Sequence, residues 1–267
     1  MTPLKLTLSL FMVTGCGTDE AKPPANSAND KQEASKIQME NRKSNKASGH
    51  QRNSLNNESA PFGIPKVTQK KENQKVLINA PHIKQKPELA RGCEVTSMAM
   101  LLNHSGVSVD KMTLAHKVKK VPYEKNGLRG NLNDGFVGNM RTFDQPGIGV
   151  YHGPMKDLAE SYLPGKVIDF TGKEFDEVIA QLDQKRPVWV VVTSTYDVVP
   201  ETHWETWKTS SGPLKITFKM HSVLVTGYDK DYIYVNDPLS AKNRKLPRQK
   251  FIAGWEQMGN QAITIKN

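Results

Sequence analysis

The residues best suited to covalent catalysis in this chain surround Cys93. Gly92, Cys93 and Glu94 are followed by apolar residues at near-helical spacing through Leu102, and Gly106 follows as a stop. The pattern therefore predicts a helix that begins at or next to Cys93. A helix N-terminus carries positive partial charge, which favours a thiolate over a thiol. The sequence thus predicts a nucleophilic cysteine with a lowered pKa.

A cysteine nucleophile needs a histidine as base, and the histidine needs an acceptor that orients its ring. His221 opens a segment rich in β-formers, and a second such segment, after a turn, ends in Asp237. We place Tyr228 opposite Tyr232 in a hairpin. In that register Val223 faces Asp237, and His221 is the diagonal neighbour of Asp237 on the same face of the sheet. Asp237 is therefore predicted to orient the imidazole of His221.

The other histidines offer weaker candidates. His104 and His116 fall within predicted helices, His82 and His152 fall in loops without an obvious partner, and His203 lies in a polar loop. Two plainer interpretations stay open at this point. A cysteine at a helix start is often only a small buried hydrophobe, and a histidine–aspartate pair across a hairpin can be purely structural.

The elements that must position these residues lie between Val76 and Asn267, which has the pattern of one α+β domain. Besides the helix at Cys93, the sequence predicts helices at Asp110–Lys119 and Glu174–Gln184, and strands at Val76–Ile78, Val188–Val192, Leu214–Lys219, Ser222–Gly227, Tyr232–Asn236 and Ala262–Ile265. Because most strands come late in the chain, we expect helices segregated from an antiparallel sheet.

The domain resembles the C39-like peptidases, which are papain-superfamily relatives of the bacteriocin-processing domains of export transporters. The resemblance is carried by the segments 85–102 (QKPELARGCEVTSMAMLL), 133–138, 151–154, 221–229 and 235–238. It covers essentially all of residues 76–267. It implies a papain-like cysteine peptidase fold, in which the nucleophile helix packs on an antiparallel sheet.

The same resemblance implies a role for each candidate residue. Cys93 would be the nucleophile, His221 the base and Asp237 the group that orients the histidine. The family's oxyanion glutamine usually lies six residues before the cysteine, where this chain has Pro87. Gln85, eight residues before, is the nearest amide and is implied as oxyanion donor together with the backbone N–H of Cys93.

The N-terminal segment is typical of a secretory signal. Lys5 is its only charged residue, and the apolar run from Leu6 to Val13 is far shorter than the ~20 residues that span a bilayer. Val13-Thr14-Gly15-Cys16 resembles the lipobox of bacterial lipoproteins, which implies that residues 1–16 are a lipoprotein signal peptide and that Cys16 carries the lipid. An ordinary signal peptide, with Cys16 incidental, is the alternative.

Residues 17–75 are rich in Asn, Lys, Ser, Glu, Gln and Ala and have almost no large apolar side chains. Such a segment cannot bury enough surface to offset the entropy of ordering, so the sequence predicts a disordered tether. A flexible coil of this length has a root-mean-square span on the order of 40 Å. The tether would hold the domain away from the bilayer.

The formal net charge of +10 limits the choice of partners. The basic residues are interleaved with acids and form no stripe with aromatics, so nucleic acid is not predicted as a partner. The excess charge favours anionic lipid or cell-wall polymer instead. No metal-ligand spacing and no glycine-rich strand–helix turn is present, so we predict neither a metal nor another cofactor.

The leading functional hypothesis is a cysteine peptidase that is lipid-anchored to the extracytoplasmic face of the membrane and acts on peptide or protein substrates. One alternative is an amidase or peptidase that acts on peptidoglycan stem peptides. Another is a non-catalytic wall-binding module on the same fold. The complete set of cysteine, histidine and aspartate argues against the last alternative.

Overall fold

A computed structural model describes residues 75–266 of the chain. The predicted signal peptide with Cys16, and the predicted tether apart from Lys75, lie outside the described residues. The predictions for these segments therefore stay predictions. Within residues 75–266, no helix combines the length and the hydropathy that a bilayer crossing requires.

The described residues form five α-helices and thirteen strands. The helices are α1 (Cys93–His104), α2 (Lys111–Lys117), α3 (His152–Glu160), α4 (Phe175–Asp183) and α5 (Arg248–Gln257). The strands are β1 (Val76–Leu77), β2 (Lys120–Val121), β3 (Glu124–Lys125), β4 (Leu128–Arg129), β5 (Phe136–Val137), β6 (Val167–Asp169), β7 (Val188–Thr193), β8 (Trp204–Thr209), β9 (Gly212–Thr217), β10 (Met220–Tyr228), β11 (Tyr232–Asn236), β12 (Arg244–Pro247) and β13 (Ala262–Ile265).

The main sheet has the strand order β12-β11-β10-β7-β13-β6, and β1 also pairs with β10. All of its pairings are antiparallel. Two smaller sheets lie outside it: β2 pairs with β5, and β3, β4, β8 and β9 form the other. The predicted α+β class with an antiparallel sheet is confirmed.

Strand β7 lies at the centre of the sheet, and all six of its residues are buried. Trp189 and Val191 belong to a core cluster with residues of α1, α2 and α3, whereas Val190 and Val192 belong to a second cluster with residues of α4 and α5. Helices thus cover both faces of the sheet. A strand covered on both faces has a continuous apolar sequence rather than an alternating one, which explains the run from residue 188 to 192.

Two side-chain hydrogen bonds fix the first half of α1 on the sheet. Ser97 Oγ donates to the carbonyl of Ser222 on β10 over 3.0 Å. Trp189 Nε1, on β7, donates to the carbonyl of Glu94 over 3.0 Å. The start of α1 is therefore held beside the start of β10, which is where His221 lies.

The β10–β11 hairpin has the predicted register at the end that carries the candidate residues. Leu224 pairs with Asn236, as that register requires. A bulge between Val225 and Gly227 then shifts the pairing by one residue toward the turn, as an inserted residue does. Tyr228 consequently pairs one residue later than predicted.

Candidate active site

Cys93 is the first residue of α1 and follows the N-cap Gly92. The carbonyl of Gly92 accepts hydrogen bonds from the backbone N–H and the hydroxyl of Thr96. A Cβ atom at position 92 would lie 2.5 Å from Cδ1 of the buried Leu89. The turn before Cys93 packs directly on the start of α1, so only a glycine fits at position 92.

His221 and Asp237 form a buried hydrogen-bonded pair. Their side chains are 6% and 2% exposed, and Nε2 of His221 lies 2.9 Å from Oδ1 of Asp237. Because a carboxylate only accepts hydrogen bonds, Nε2 is the protonated nitrogen of the neutral ring. Nδ1 is then the nitrogen that carries the lone pair and can take up a proton. The predicted role of Asp237 beside His221 has the required geometry.

The Asp237 carboxylate is held by a dense set of donors besides His221. Oδ1 accepts from the backbone N–H of Leu239 over 2.9 Å. Oδ2 accepts from Tyr196 OH, Ser240 Oγ and Arg244 NH1 at 2.8, 2.7 and 2.8 Å. Burial opposes its ionisation, but the hydrogen bond and charge of His221, followed by the bonds from Ser240 and Leu239, hold the pKa of Asp237 well below its ordinary value.

The Cys93 thiol contacts groups of both α1 and β10. Its Sγ donates to Oε2 of Glu94 over 3.3 Å. The backbone N–H of Ser222 also lies within hydrogen-bonding reach of the thiol. Since Ser222 directly follows His221, this contact brings the thiol and the histidine to the same end of β10.

The predicted lowering of the pKa of Cys93 is wrong for this structure. Burial and then the negative charge of Glu94 raise the pKa of Cys93 well above its ordinary value, although the Ser222 N–H acts in the opposite direction. A helix N-terminus contributes only a partial charge. Burial of the thiol, together with the carboxylate of the next residue in contact with the sulfur, outweighs it.

Gln85 contacts Pro238, the residue after Asp237. Its side-chain N–H groups are already engaged in hydrogen bonds, so neither is free to donate to a group at the thiol. Its backbone N–H donates to the carbonyl of Pro238 over 2.9 Å. Its Nε2 donates to the carbonyls of Leu89 and Ala90 at 3.1 and 3.0 Å, and its Oε1 is buried without a partner. The amide therefore braces the turn before Cys93, and its role as oxyanion donor stays a prediction.

Two histidines for which the sequence showed no obvious partner have one in the structure. Nε2 of His82 lies 2.8 Å from the backbone carbonyl of Asp237, and Nδ1 of His152 lies 2.6 Å from Oδ2 of Asp169. Both contacts join residues far apart in sequence. Such contacts cannot be read from local patterns, which is why the sequence showed no obvious partner for either residue.

Tyr196 is a member of the site that the sequence did not indicate. Its ring meets His221 edge-on at 6.0 Å between centroids and stacks on Phe251 at 6.3 Å. The Arg244 guanidinium lies over the same ring at 4.7 Å. Tyr196 has a φ of 56°, which is uncommon for a residue with a side chain. Its packing and its bond to Asp237 hold it in this conformation.

A cavity of about 380 Å³ lies between α3, the C-terminal end of α5 and β8. Asn133, from one of the segments that carry the family resemblance, lines it together with Tyr151 and Trp204. None of the three triad candidates is among its lining residues. Within residues 75–266, no cluster of three or more His, Cys, Asp and Glu side chains is placed to hold a metal ion.

The chain is similar to several known proteins. The sequence profile of the peptidase C39-like family matches residues 77–263. An uncharacterized Bacillus subtilis (strain 168) protein, YvpB, is 49% identical over 181 residues, or 67% of this chain and 71% of that protein. A solved structure described as a C39-like peptidase from Bacillus anthracis is 46% identical, with a TM-score of 0.72 over 73% of this chain and 98% of that one. The profile match spans Cys93, His221 and Asp237.

Proposed function

The chain belongs to the peptidase C39-like family, and on that premise we propose that it is a cysteine peptidase that hydrolyses peptide bonds through Cys93, His221 and Asp237. The observation that carries the proposal is the buried His221–Asp237 pair at the end of the sheet where α1 begins with Cys93. The pair presents a proton-accepting nitrogen, and the helix start presents a thiol. Together they are the components that nucleophilic acyl transfer requires.

In the proposed reaction, Nδ1 of His221 takes the thiol proton as the Cys93 sulfur attacks the peptide carbonyl carbon. The new C–S bond creates a tetrahedral oxyanion, which collapses as the C–N bond breaks and His221 passes its proton to the leaving amine. Water, deprotonated by the same nitrogen, then attacks the acyl-enzyme. The C–S bond breaks, the carboxylic acid product leaves, and the thiol is restored. Asp237 keeps the ring in the orientation and tautomer that both steps need.

Digestion of a peptide library by the full chain and by its Cys93→Ala variant tests this proposal. Cleavage by the parent and none by the variant would support it. Absence of cleavage by the parent, across a library of broad composition, would contradict it. A library is the appropriate substrate because no side-chain specificity follows from the residues at the site.

We further propose that the backbone N–H of Cys93 and the amide of Gln85 hold the oxyanion. The side-chain amide of Gln85 donates to the carbonyls of Leu89 and Ala90 at 3.1 and 3.0 Å. Donation to the oxyanion would require one of these N–H groups to turn away from its carbonyl. Loss of one oxyanion donor typically lowers turnover by about 10²–10³. Gln85→Ala should therefore lower kcat to that extent and leave KM nearly unchanged.

Steady-state kinetics with thermal unfolding of the same samples tests the role of Gln85. Gln85→Glu also removes the N–H donors, so its kcat should fall as in Gln85→Ala. If Gln85→Ala lowers the melting temperature but retains kcat, the side chain only braces the turn before Cys93.

We also propose that the peptidase is lipid-anchored at the extracytoplasmic face of the membrane through Cys16. The support is the sequence Val13-Thr14-Gly15-Cys16 after a short apolar run. Two or more acyl chains on one cysteine give firm membrane retention, whereas a single chain binds marginally. The anchor would place the catalytic domain among extracellular or wall-associated peptides.

Cys16→Ala should move the protein from the detergent-rich phase to the aqueous phase when bacterial cells that express it are extracted. Cys93→Ala is the matched control, because it removes the other cysteine of the chain and should partition like the parent. Equal partitioning of Cys16→Ala and the parent would rule out the lipid anchor.

A further inference from the structure

The Glu94 carboxyl group is buried directly against the thiol, and the proposed triad makes no use of it. The residue is 1% exposed. Oε2 accepts the hydrogen bond from Cys93 Sγ over 3.3 Å, and Oε1 accepts one from the backbone N–H of Val150 over 3.1 Å. A Cβ atom at position 149 would lie 2.2 Å from Oε1, so Gly149 leaves room for the carboxyl. The group is thus fixed in place beneath the nucleophile.

Two acidic groups in contact within a buried site do not ionise independently. Burial raises the pKa of Glu94 to about 7, against the opposing hydrogen bonds from the backbone and Cys93. Burial and the charge of Glu94 raise the pKa of Cys93. No lysine, arginine or histidine of residues 75–266 forms an ion pair with Glu94. A negative charge on one group therefore disfavours a negative charge on the other.

We propose that Glu94 is a further catalytic residue, which sets the protonation state of Cys93. When its carboxyl is protonated, the O–H donates to the thiolate that forms as the S–H proton moves to Nδ1 of His221. When it is ionised, it accepts the S–H bond and keeps Cys93 as a thiol. The proton on Glu94 is not consumed during turnover. This inference rests on the proposed role of Cys93 as the nucleophile.

The ionisable groups around this pair are few. Cys93 is the neighbour on α1, and on β10 His221 directly precedes Ser222, whose N–H reaches the thiol. The loop before α3 contributes the Val150 N–H and Tyr151, whose phenol is kept neutral because burial raises its pKa to about 12. Tyr196 interacts with the charge of Cys93, and burial likewise raises its pKa above the ordinary value. Glu94 is thus the carboxyl group in contact with the thiol, and its pKa of about 7 places its ionisation near neutral pH.

The pH dependence of iodoacetamide alkylation tests the proposal, because the reagent reacts with the thiolate. The full chain with Cys16→Ser is used, so that Cys93 is the remaining thiol. In that parent, the rate should rise less steeply with pH above about pH 7, where Glu94 ionises. In Glu94→Gln, which keeps an oxygen acceptor for Val150, the rate should continue to rise.

The readout is the alkylation rate of Glu94→Gln divided by that of the parent at each pH. Well below pH 7 it should stay within about twofold. By about pH 9 Glu94→Gln should react about tenfold faster, the factor that one pKa unit of coupling gives. Glu256→Gln, which removes an exposed carboxylate on α5, should follow the parent. A ratio that is constant with pH would overturn the proposal, because a merely structural effect of Glu94 has no reason to switch near pH 7.

Infrared difference spectroscopy keeps the proposal testable if Glu94→Gln fails to fold. Alkylation removes the S–H donor to the Glu94 carboxylate and so should raise the pKa of Glu94. At about pH 7, alkylated minus unmodified protein should show a gain of one protonated carboxyl band, and no gain would overturn the proposal. Neither measurement needs peptide cleavage. Coupled titration of Cys93 and Glu94 without peptidase activity would therefore contradict only the proposed function. Peptidase activity without coupled titration would contradict only the role of Glu94.

Discussion

Replacing His221 with Ala should lower the kcat of peptide hydrolysis by on the order of 10⁶, which is the loss seen when the base of a nucleophile–base unit is removed. The reason is geometric. Nε2 is bonded to the buried Asp237 at 2.9 Å, so the proposed mechanism assigns proton exchange with the thiol and the leaving amine to Nδ1.

His203→Ala is the matched control for this experiment. His203 lies in a short 3₁₀ helix and is exposed, so its loss should leave kcat unchanged. Circular dichroism of both variants would exclude unfolding as the cause of lost activity. A His221→Ala variant within about tenfold of the parent would mean that another group serves as the base, and the proposed mechanism would fail.

The predicted papain-like cysteine peptidase fold is confirmed by the match to the Bacillus anthracis C39-like structure. The elements that hold His221 and Asp237 were predictable because they are local in sequence. Alternation fixes which side chains share a face, and the turn between the strands is short. The bulge after Val225 was not predictable, yet it lies on the turn side of Leu224 and so leaves the register at His221 intact.

Helices α3 and α5 were not predicted, for an identifiable physical reason. In α5, Phe251 and Trp255 are the large side chains buried against the sheet, and its other residues are mostly polar or small. Two apolar residues four positions apart are too few to give a periodic signal. Docking of this pair against Phe175 of α4, with ring centroids at 6.2 and 5.2 Å, stabilises the helix through tertiary contact.

The protonation state of Cys93 could not be predicted from the sequence for a different reason. The residues Cys93 and Glu94 are adjacent, but adjacency does not say whether a side chain turns toward solvent or toward its neighbour. Gly149 and the Val150 N–H, contributed by a loop some fifty residues away, draw the carboxyl inward. The pKa of Cys93 is therefore set by long-range packing, whereas the helix dipole that motivated our prediction is a local effect.

The surroundings of Asp237 likewise combine local and distant contributions. Leu239 and Ser240 follow it in the chain and form a turn that returns two donors to the carboxylate. Tyr196 and Arg244 come from other elements. The Arg244 side chain also lies over the Tyr196 ring. These hydrogen bonds stabilise the negative charge of the Asp237 carboxylate. Oδ1 contacts His221, whereas Oδ2 contacts Tyr196, Ser240 and Arg244.

Asp237→Asn should lower kcat by about 10⁴, the cost of a histidine held in the wrong tautomer. The oxygen of the amide should take the position of Oδ2, where Tyr196, Ser240 and Arg244 all donate. Its NH₂ group would then face Nε2 of His221, which would have to become an acceptor. The ring proton would move to Nδ1, and the nitrogen that faces the thiol could no longer take up its proton.

The same substitution should destabilise the domain by about 1–3 kcal/mol at neutral pH, because the NH₂ group also faces the N–H of Leu239 and leaves it unpaired. The sign of the pH dependence follows from the lowered pKa of Asp237. A depressed pKa contributes stability that is fully present above the unfolded-state pKa of about 3.9 and is lost as the pH falls toward the folded-state value. The difference in unfolding free energy between the parent and Asp237→Asn should therefore shrink below about pH 4.

Denaturant titrations at several pH values, alongside kcat, test both effects. A variant with full activity, or a stability difference that grows on acidification, would show that Asp237 does not act as the ionised partner of His221.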